Sequence, residues 1–132
     1  MYYNLRLIGT VGPKKPVFVS MTVQLLTALA VGAVGVMSPE SNGASRLCMS
    51  VTDSYKRGDY ATAVASFGKV MRLSAVLAKY QNPRSQKAAL TLLGRPRGGR
   101  LRRPYLPLDE EAHKDIGRGL DELEIREIEG LA

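Results

Sequence analysis

From Pro16 to Pro39 the chain carries no charged residue, and inside that stretch the pattern of apolar and polar positions changes twice. Val17, Phe18 and Val19 form a continuous β-prone run opened by Pro16, and Ser20 and Thr22 then offer hydroxyls suited to capping a helix. Val23, Leu26 and Ala30, beside Leu25 and Leu29, recur at helical spacing, and Gly32 stands where a left-handed C-terminal residue is wanted. Gly35, Val36 and Met37 return to an apolar run that Ser38 and Pro39 close. The order predicts a strand, a helix and a second strand parallel to the first, because parallel strands covered on both faces read as unbroken apolar runs. Ligands of such sheets gather beyond the strand ends, which makes Ser20 and Ser38 candidates for contact.

Around this unit the pattern is helical. Leu5, Leu7 and Ile8 predict a short helix before it, ended near Gly9 or Gly12. After a polar loop at Glu40 to Ala44, Ser45 is placed to cap a helix running to Arg57, with Leu47, Val51 and Tyr55 on one face. Gly58 stops that helix and Asp59 caps the next, whose apolar line is read as Tyr60, Val64, Phe67 and Met71. Asn82 and Pro83 break the chain, and Ser85 to Leu93 forms a third helix closed by Gly94. Residues 95 to 108 hold three prolines and two glycines and predict an extended arm. A last helix begins at Asp109, with Glu110 and Glu111 in its first turn and Ala112, Ile116, Leu120 and Leu123 as its apolar line; Gly117 and Gly119 weaken it.

Composition changes this picture in two places. An uncharged run of about 20 residues is also long enough to span a bilayer as one helix. Lys14 and Lys15 ahead of it would suit a cytoplasmic flank, so a single-span membrane protein is a rival reading. Against it stand Ser20, Thr22, Gln24 and Thr27 in the first half and Gly32 and Gly35 in the second. The net charge of +7 is unevenly placed: from Pro104 onward three basic residues face nine acidic ones, so the remainder carries +13. Arg95, Arg97, Arg100, Arg102 and Arg103 concentrate five of those charges in RPRGGRLRRP, which supports a second function class, binding of nucleic acid or another polyanion. No aromatic residue interleaves with them, so the arm offers no stacking platform. With 132 residues, 45% of them apolar, the chain is the size of one ordinary domain, and its one cysteine, Cys48, excludes an internal disulfide and fits a reducing, cytoplasmic compartment. Cys48 reads as a small buried apolar group rather than a nucleophile.

Three blocks carry a resemblance. LLTALAVGAVGVMS (Leu25 to Ser38), YKRGDYATA (Tyr55 to Ala63) and KAALTLLGRPRGGRLRRPYLPLDEE (Lys87 to Glu111) stand in the order and spacing of the C-terminal part of the dihydrodipicolinate synthase and N-acetylneuraminate lyase family. The chain resembles that family over most of its length. The resemblance implies an α/β fold: a C-terminal fragment of a (β/α)8 TIM barrel holding the last two strands, followed by a C-terminal helical segment. Residues 1–44 are then a partial barrel of helix, strand, helix and strand, and residues 45–132 are C-terminal helices with the arginine and proline arm at 95–108. It favours the crossover unit over the membrane span.

Relatives of this kind act on pyruvate through a Schiff base, and the resemblance implies a carbon–carbon lyase or synthase of the class I aldolase type. A lysine on the sixth barrel strand condenses with the ketone, and the protonated imine withdraws electrons so that a carbanion forms at the adjacent carbon. A tyrosine on an earlier strand relays protons, and a Gly-Thr-Thr-Gly loop holds the carboxylate. None of Lys14, Lys15, Lys56, Lys69, Lys79, Lys87 or Lys114 lies in an apolar strand and is followed by the family's lysine motif. Gly9-Thr10-Val11-Gly12 and Tyr3-Asn4 echo the carboxylate loop and the tyrosine motif only superficially, in the wrong order and without the following Glu and Pro. No catalytic residue, metal ligand set or cofactor is therefore expected in this stretch, and by itself it is expected to be inactive. The candidate substrate contacts are Ser20, Ser38 and Asn42. Ser38 and Asn42 match the Ser-x-x-x-Asn after the eighth strand, whereas Ser20 stands where relatives have Gly followed by two acidic residues and Met21 and Thr22 follow here. The expected partners are a pyruvate-type substrate in the intact family and either a second copy or a complementary N-terminal fragment, because two parallel strands leave two open edges.

Overall fold

The computed structural model describes residues 2–12, 14–96 and 100–131. Helix α1 (Tyr2–Val11) precedes strand β1 (Phe18–Ser20), helix α2 (Leu25–Ala30) and strand β2 (Gly35–Met37), and five helices follow: α3 (Ser45–Lys56), α4 (Tyr60–Ala78), α5 (Arg84–Leu92), α6 (Glu110–Glu122) and α7 (Ile125–Glu129). The strands pair parallel, Phe18 with Gly35, Val19 with Val36 and Ser20 with Met37. The uncharged stretch is thus broken into strand, helix and strand, and no single helix crosses it, which removes the membrane span proposed there. Among the described residues one helix, α4, is long and apolar enough to cross a membrane by length and composition; it packs on α3 and α6.

Two apolar clusters hold these elements. Val17 and Val19 pack with Ile8 of α1 and with Ala28 and Ala33 of the crossover, so α1 and α2 cover one face of the sheet. Asn4 ties α1 to the crossover, its Nδ2 donating to Gln24 Oε1 at 2.6 Å. The larger cluster draws Leu25 and Leu29 from α2 together with residues of α3 to α7, among them Val51, Val70, Leu77, Ile116 and Ile125. Gly58 (φ 79°) takes the left-handed turn between α3 and α4, a conformation that costs a residue with a Cβ, and Asp59 caps α4 by accepting from the Thr62 amide at 3.1 Å. Asp109 caps α6 in the same way, accepting from the Ala112 amide at 2.8 Å.

Four local expectations are corrected. Neither Ser20 nor Thr22 caps α2: Ser20 is the last residue of β1, and Thr22 opens a 3-10 turn (Thr22–Gln24) with its hydroxyl directed elsewhere. Ser45 does not cap α3 but is its first residue, and its hydroxyl donates to Glu129 Oε2 at 3.1 Å. The buried line of α4 is Ala63, Val70, Leu73 and Leu77, while Tyr60 and Val64 remain 59% and 58% exposed. The reason is that α4 is apolar on two faces and its packing on α3 and α6 decides between them; at the second contact a Cβ at Gly119 of α6 would come within 2.8 Å of the Val76 side chain. Gly119, read from sequence as a weakness, is where α6 meets α4. Finally, α7 was not foreseen; it starts after Glu124 (φ 56°) and ends at Gly130 (φ 64°). The arm has neither helix nor strand at 95, 96 and 100–108, and the expectations for Arg97 and the two glycines after it lie outside the described residues.

Candidate functional site at the strand ends

Alternation along the two short strands sorts their side chains. Val19 and Val36 turn toward α2, and Val19 is buried, whereas Phe18, Ser20 and Met37 are exposed on the opposite face. Ser20 therefore stands on an open sheet face with Met37 as its register neighbour. Beyond it the backbone takes φ 77° at Met21, a region that L residues other than glycine seldom adopt and that costs about 1–3 kcal/mol. That turn carries Thr22 back under the sheet, where it is buried.

There Thr22 and Ser38 meet a carboxylate. Glu40 lies in the 3-10 turn Pro39–Asn42 and is only 5% exposed. Its Oε2 accepts from Thr22 Oγ1 at 2.6 Å and from Ser38 Oγ at 2.5 Å. Each hydroxyl has one proton, and both protons go to the charged oxygen, so the 3.0 Å approach of Thr22 Oγ1 to Ser38 Oγ is contact without a shared hydrogen. Burial pushes the Glu40 carboxyl upward, but the hydroxyls of Ser38, Thr22 and Ser74 outweigh it and hold the group below its ordinary range. Glu40 is thus an ionised, buried carboxylate, and among the described residues no basic side chain forms an ion pair with it. The turn is closed further by Ser41 Oγ donating to Ser38 O at 2.6 Å and Asn42 Nδ2 donating to Pro39 O at 3.0 Å.

Ser38 and Asn42 consequently belong to one turn, while Ser20 faces the open side of the sheet. Ser38 spends its proton on Glu40; exposed Asn42 keeps its amide oxygen and one N–H. Glu40 and Thr22 were missed as a pair by the sequence reading. A Glu in a polar loop and a Thr after a strand have many uses, and their meeting depends on parallel strands bringing the two ends together. An apolar cavity of about 470 Å3 adjoins β2, lined by Phe18, Gly35, Val36 and Met49 with Cys48 and Lys56 at its wall. Burial, then the negative charges of Glu40 and Glu129, push the Cys48 thiol up to about 12, so it is not a thiolate nucleophile at neutral pH.

No lysine lies in β1 or β2. Lys14 and Lys15 are exposed ahead of β1. Lys69, Lys79 and Lys114 pair with Glu124, Asp115 and Glu110 at 2.8, 3.0 and 2.7 Å. Among the described residues no three His, Cys, Asp or Glu side chains are grouped to hold a metal ion. At the base of the arm Arg95 is committed to Glu129, 3.1 Å away, and so is not a free polyanion contact.

Comparison with known proteins agrees with this architecture. The sequence model of the Dihydrodipicolinate synthetase family matches residues 1–123. The 4-hydroxy-tetrahydrodipicolinate synthase of Sorangium cellulosum is 36% identical over 101 residues, which are 76% of this chain and 33% of that protein. The N-acetylneuraminate lyase of Proteus mirabilis superposes with a TM-score of 0.79 at 26% identity, over 94% of this chain and 42% of the lyase. A prophage protein of the dihydrodipicolinic acid synthase family from E. coli K12, solved in complex with pyruvate, gives a TM-score of 0.82 at 23% identity and shares the fold over 94% of this chain and 43% of its own. The chain thus spans less than half the length of these relatives. Its helix-rich α/β architecture with two parallel strands resembles the TIM-barrel fold of these proteins, and the chain belongs to the dihydrodipicolinate synthase and N-acetylneuraminate lyase family.

Proposed function

We propose that residues 1–132 are the closing part of a (β/α)8 barrel, with β1 and β2 as its seventh and eighth strands and residues 45–132 as the added helical segment. The observation that carries this reading is the uncovered sheet face: Phe18 and Met37 are 55% and 73% exposed while Val19, on the other face, is packed under α1 and α2. In a closed barrel that open face is the lumen wall, and substrates react at the C-terminal ends of the strands. Ser20 then borders the lumen directly. Asn42 offers its free amide groups at the rim, and Ser38 anchors the turn that presents them through Glu40. The chemistry is pyruvate-dependent formation or cleavage of a carbon–carbon bond through an imine, whose protonated nitrogen draws electrons from the adjacent carbon. The imine lysine comes from outside these 132 residues, because the lysines present are solvated, paired with carboxylates or bonded to the arm. By itself the chain is inactive in this reading. It works in the cytoplasm, where its buried thiol stays reduced.

The open edges of β1 and β2 hold unpaired N–H and C=O groups that recruit further strands, either from a second copy or from the first six strands of a family barrel. Sedimentation of the purified chain at micromolar concentration tests this. Association alone, and a one-to-one complex with a separately produced fragment carrying six family strands, are expected. A monodisperse monomer with a cooperative thermal transition would overturn it.

A further inference from the structure

We propose that the cleft between α5 and the returning arm is a binding site for a small oxyanion, a single phosphate or carboxylate group. The cleft holds about 110 Å3 and its charged lining is Arg84, Lys87 and Arg100, joined by His113; among the described residues no carboxylate lines it. That volume is below the roughly 300–1,000 Å3 of sites for drug-sized ligands, and about four times the share of one water in the liquid, so it suits one small group.

Two of the three cations are held in place by the arm itself. Arg84 Nη2 donates to Pro107 O at 3.2 Å and Lys87 Nζ donates to Arg100 O at 2.9 Å. These bonds to neutral carbonyls fix the positive groups without neutralising them, and an ammonium retains two further donors. The Nε–H of Arg84 is buried and has no partner among the described residues. His113 adds to the wall: its Nδ1 lies 2.7 Å from Asp109 O, and since a carbonyl only accepts, Nδ1 carries the proton and Nε2 is the free nitrogen. Guanidinium and ammonium donors lining one cleft are the ordinary chemistry of phosphate and carboxylate recognition. The site is separate from the strand ends and stands whether or not the barrel reading holds.

The test titrates the full chain with inorganic phosphate and, separately, with sodium acetate at constant ionic strength, following heat by calorimetry. Saturable one-to-one binding of either anion is expected, the stronger of the two identifying the group. Arg100→Ala removes one cation while leaving its backbone bond to Lys87, so it should weaken binding about tenfold without changing the melting temperature. Arg72→Ala, on the exposed side of α4, should leave affinity unchanged. Absence of saturable binding by both anions, or equal weakening by the two variants, would overturn the site.

Discussion

The ionised, buried Glu40 gives the sharpest structural prediction, because two strand ends and α4 converge on it. Glu40→Ala removes the acceptor of two short hydrogen bonds and leaves the Thr22 and Ser38 hydroxyls, 3.0 Å apart, only one neutral hydrogen bond between them. Hydrogen bonds to a charged group contribute about 1.5–3 kcal/mol each. Relief of the carboxylate's desolvation, several kcal/mol per buried ion, works the other way. Glu40 also borders a cavity of about 350 Å3 shared with Ser74, Gln81 and Gln86, from which water can reach the abandoned hydroxyls. We expect a net loss of about 2 kcal/mol for Glu40→Ala and about 1 kcal/mol for Glu40→Gln, which keeps the shape but loses the charge. Thr22→Val is the partner substitution. It should cost about 1 kcal/mol in the parent and almost nothing beside Glu40→Ala, a coupling read by a double-mutant cycle in urea with unchanged m-values. The pH dependence has a definite sign. The folded carboxyl titrates below its ordinary value of 4.5, so its contribution is fully present above that pH and is lost as pH falls through the folded value. The gap between parent and Glu40→Gln should therefore be largest near neutrality and shrink in acid. Additive effects of Thr22→Val and Glu40→Ala, or a gap that widens in acid, would refute the network.

Two further substitutions probe the helical segment. Glu129, 3% exposed, accepts from Ser45 Oγ, from the Leu47 amide and from Arg95, each at 3.1 Å, so it caps α3 from the far end of the chain. Glu129→Ala should cost about 3 kcal/mol, reduced from the full price of a broken buried pair because Arg95 is partly solvated, and a denaturation midpoint within error of the parent would contradict this. Gly119→Val should cost about 1–3 kcal/mol by overpacking against Val76, whereas Gly117→Ala, whose Cβ would lie 3.9 Å from Leu92, should be neutral or stabilising; thermal melts of the two variants decide it.

The parts of the fold that could be read in the sequence are those specified by neighbours in the chain. The strand, helix and strand at residues 17–37 follow from apolar runs punctuated by Gly32 and Gly35, and the junctions at Gly58-Asp59 and at Asp109 follow from capping chemistry that acts over three residues. What escaped depends on distant partners. Ser45 has a cap residue's chemistry, but Glu129 takes its hydroxyl, 84 positions away. Helix α7 is five residues long, too short for a periodic signal, and is held by Ile125 in the core and by Glu129 against α3. The face of α4 was misread because both its stripes are apolar and the choice between them is made by distant partners, α3 and α6. At the strand ends Ser20, Ser38 and Asn42 could be named from motif position, yet the group that organises the turn is Glu40, whose partners are set by strand pairing rather than by local pattern.

In the proposed function these residues help shape a pyruvate-dependent site without supplying the imine lysine. Borohydride reduction in the presence of pyruvate traps such imines covalently, and intact-mass measurement followed by peptide mapping reads the product. For the purified chain the mass should be unchanged. A stoichiometric adduct on any lysine, with Lys14 and Lys15 the first to examine, would contradict the account and move the reacting group into this part of the molecule.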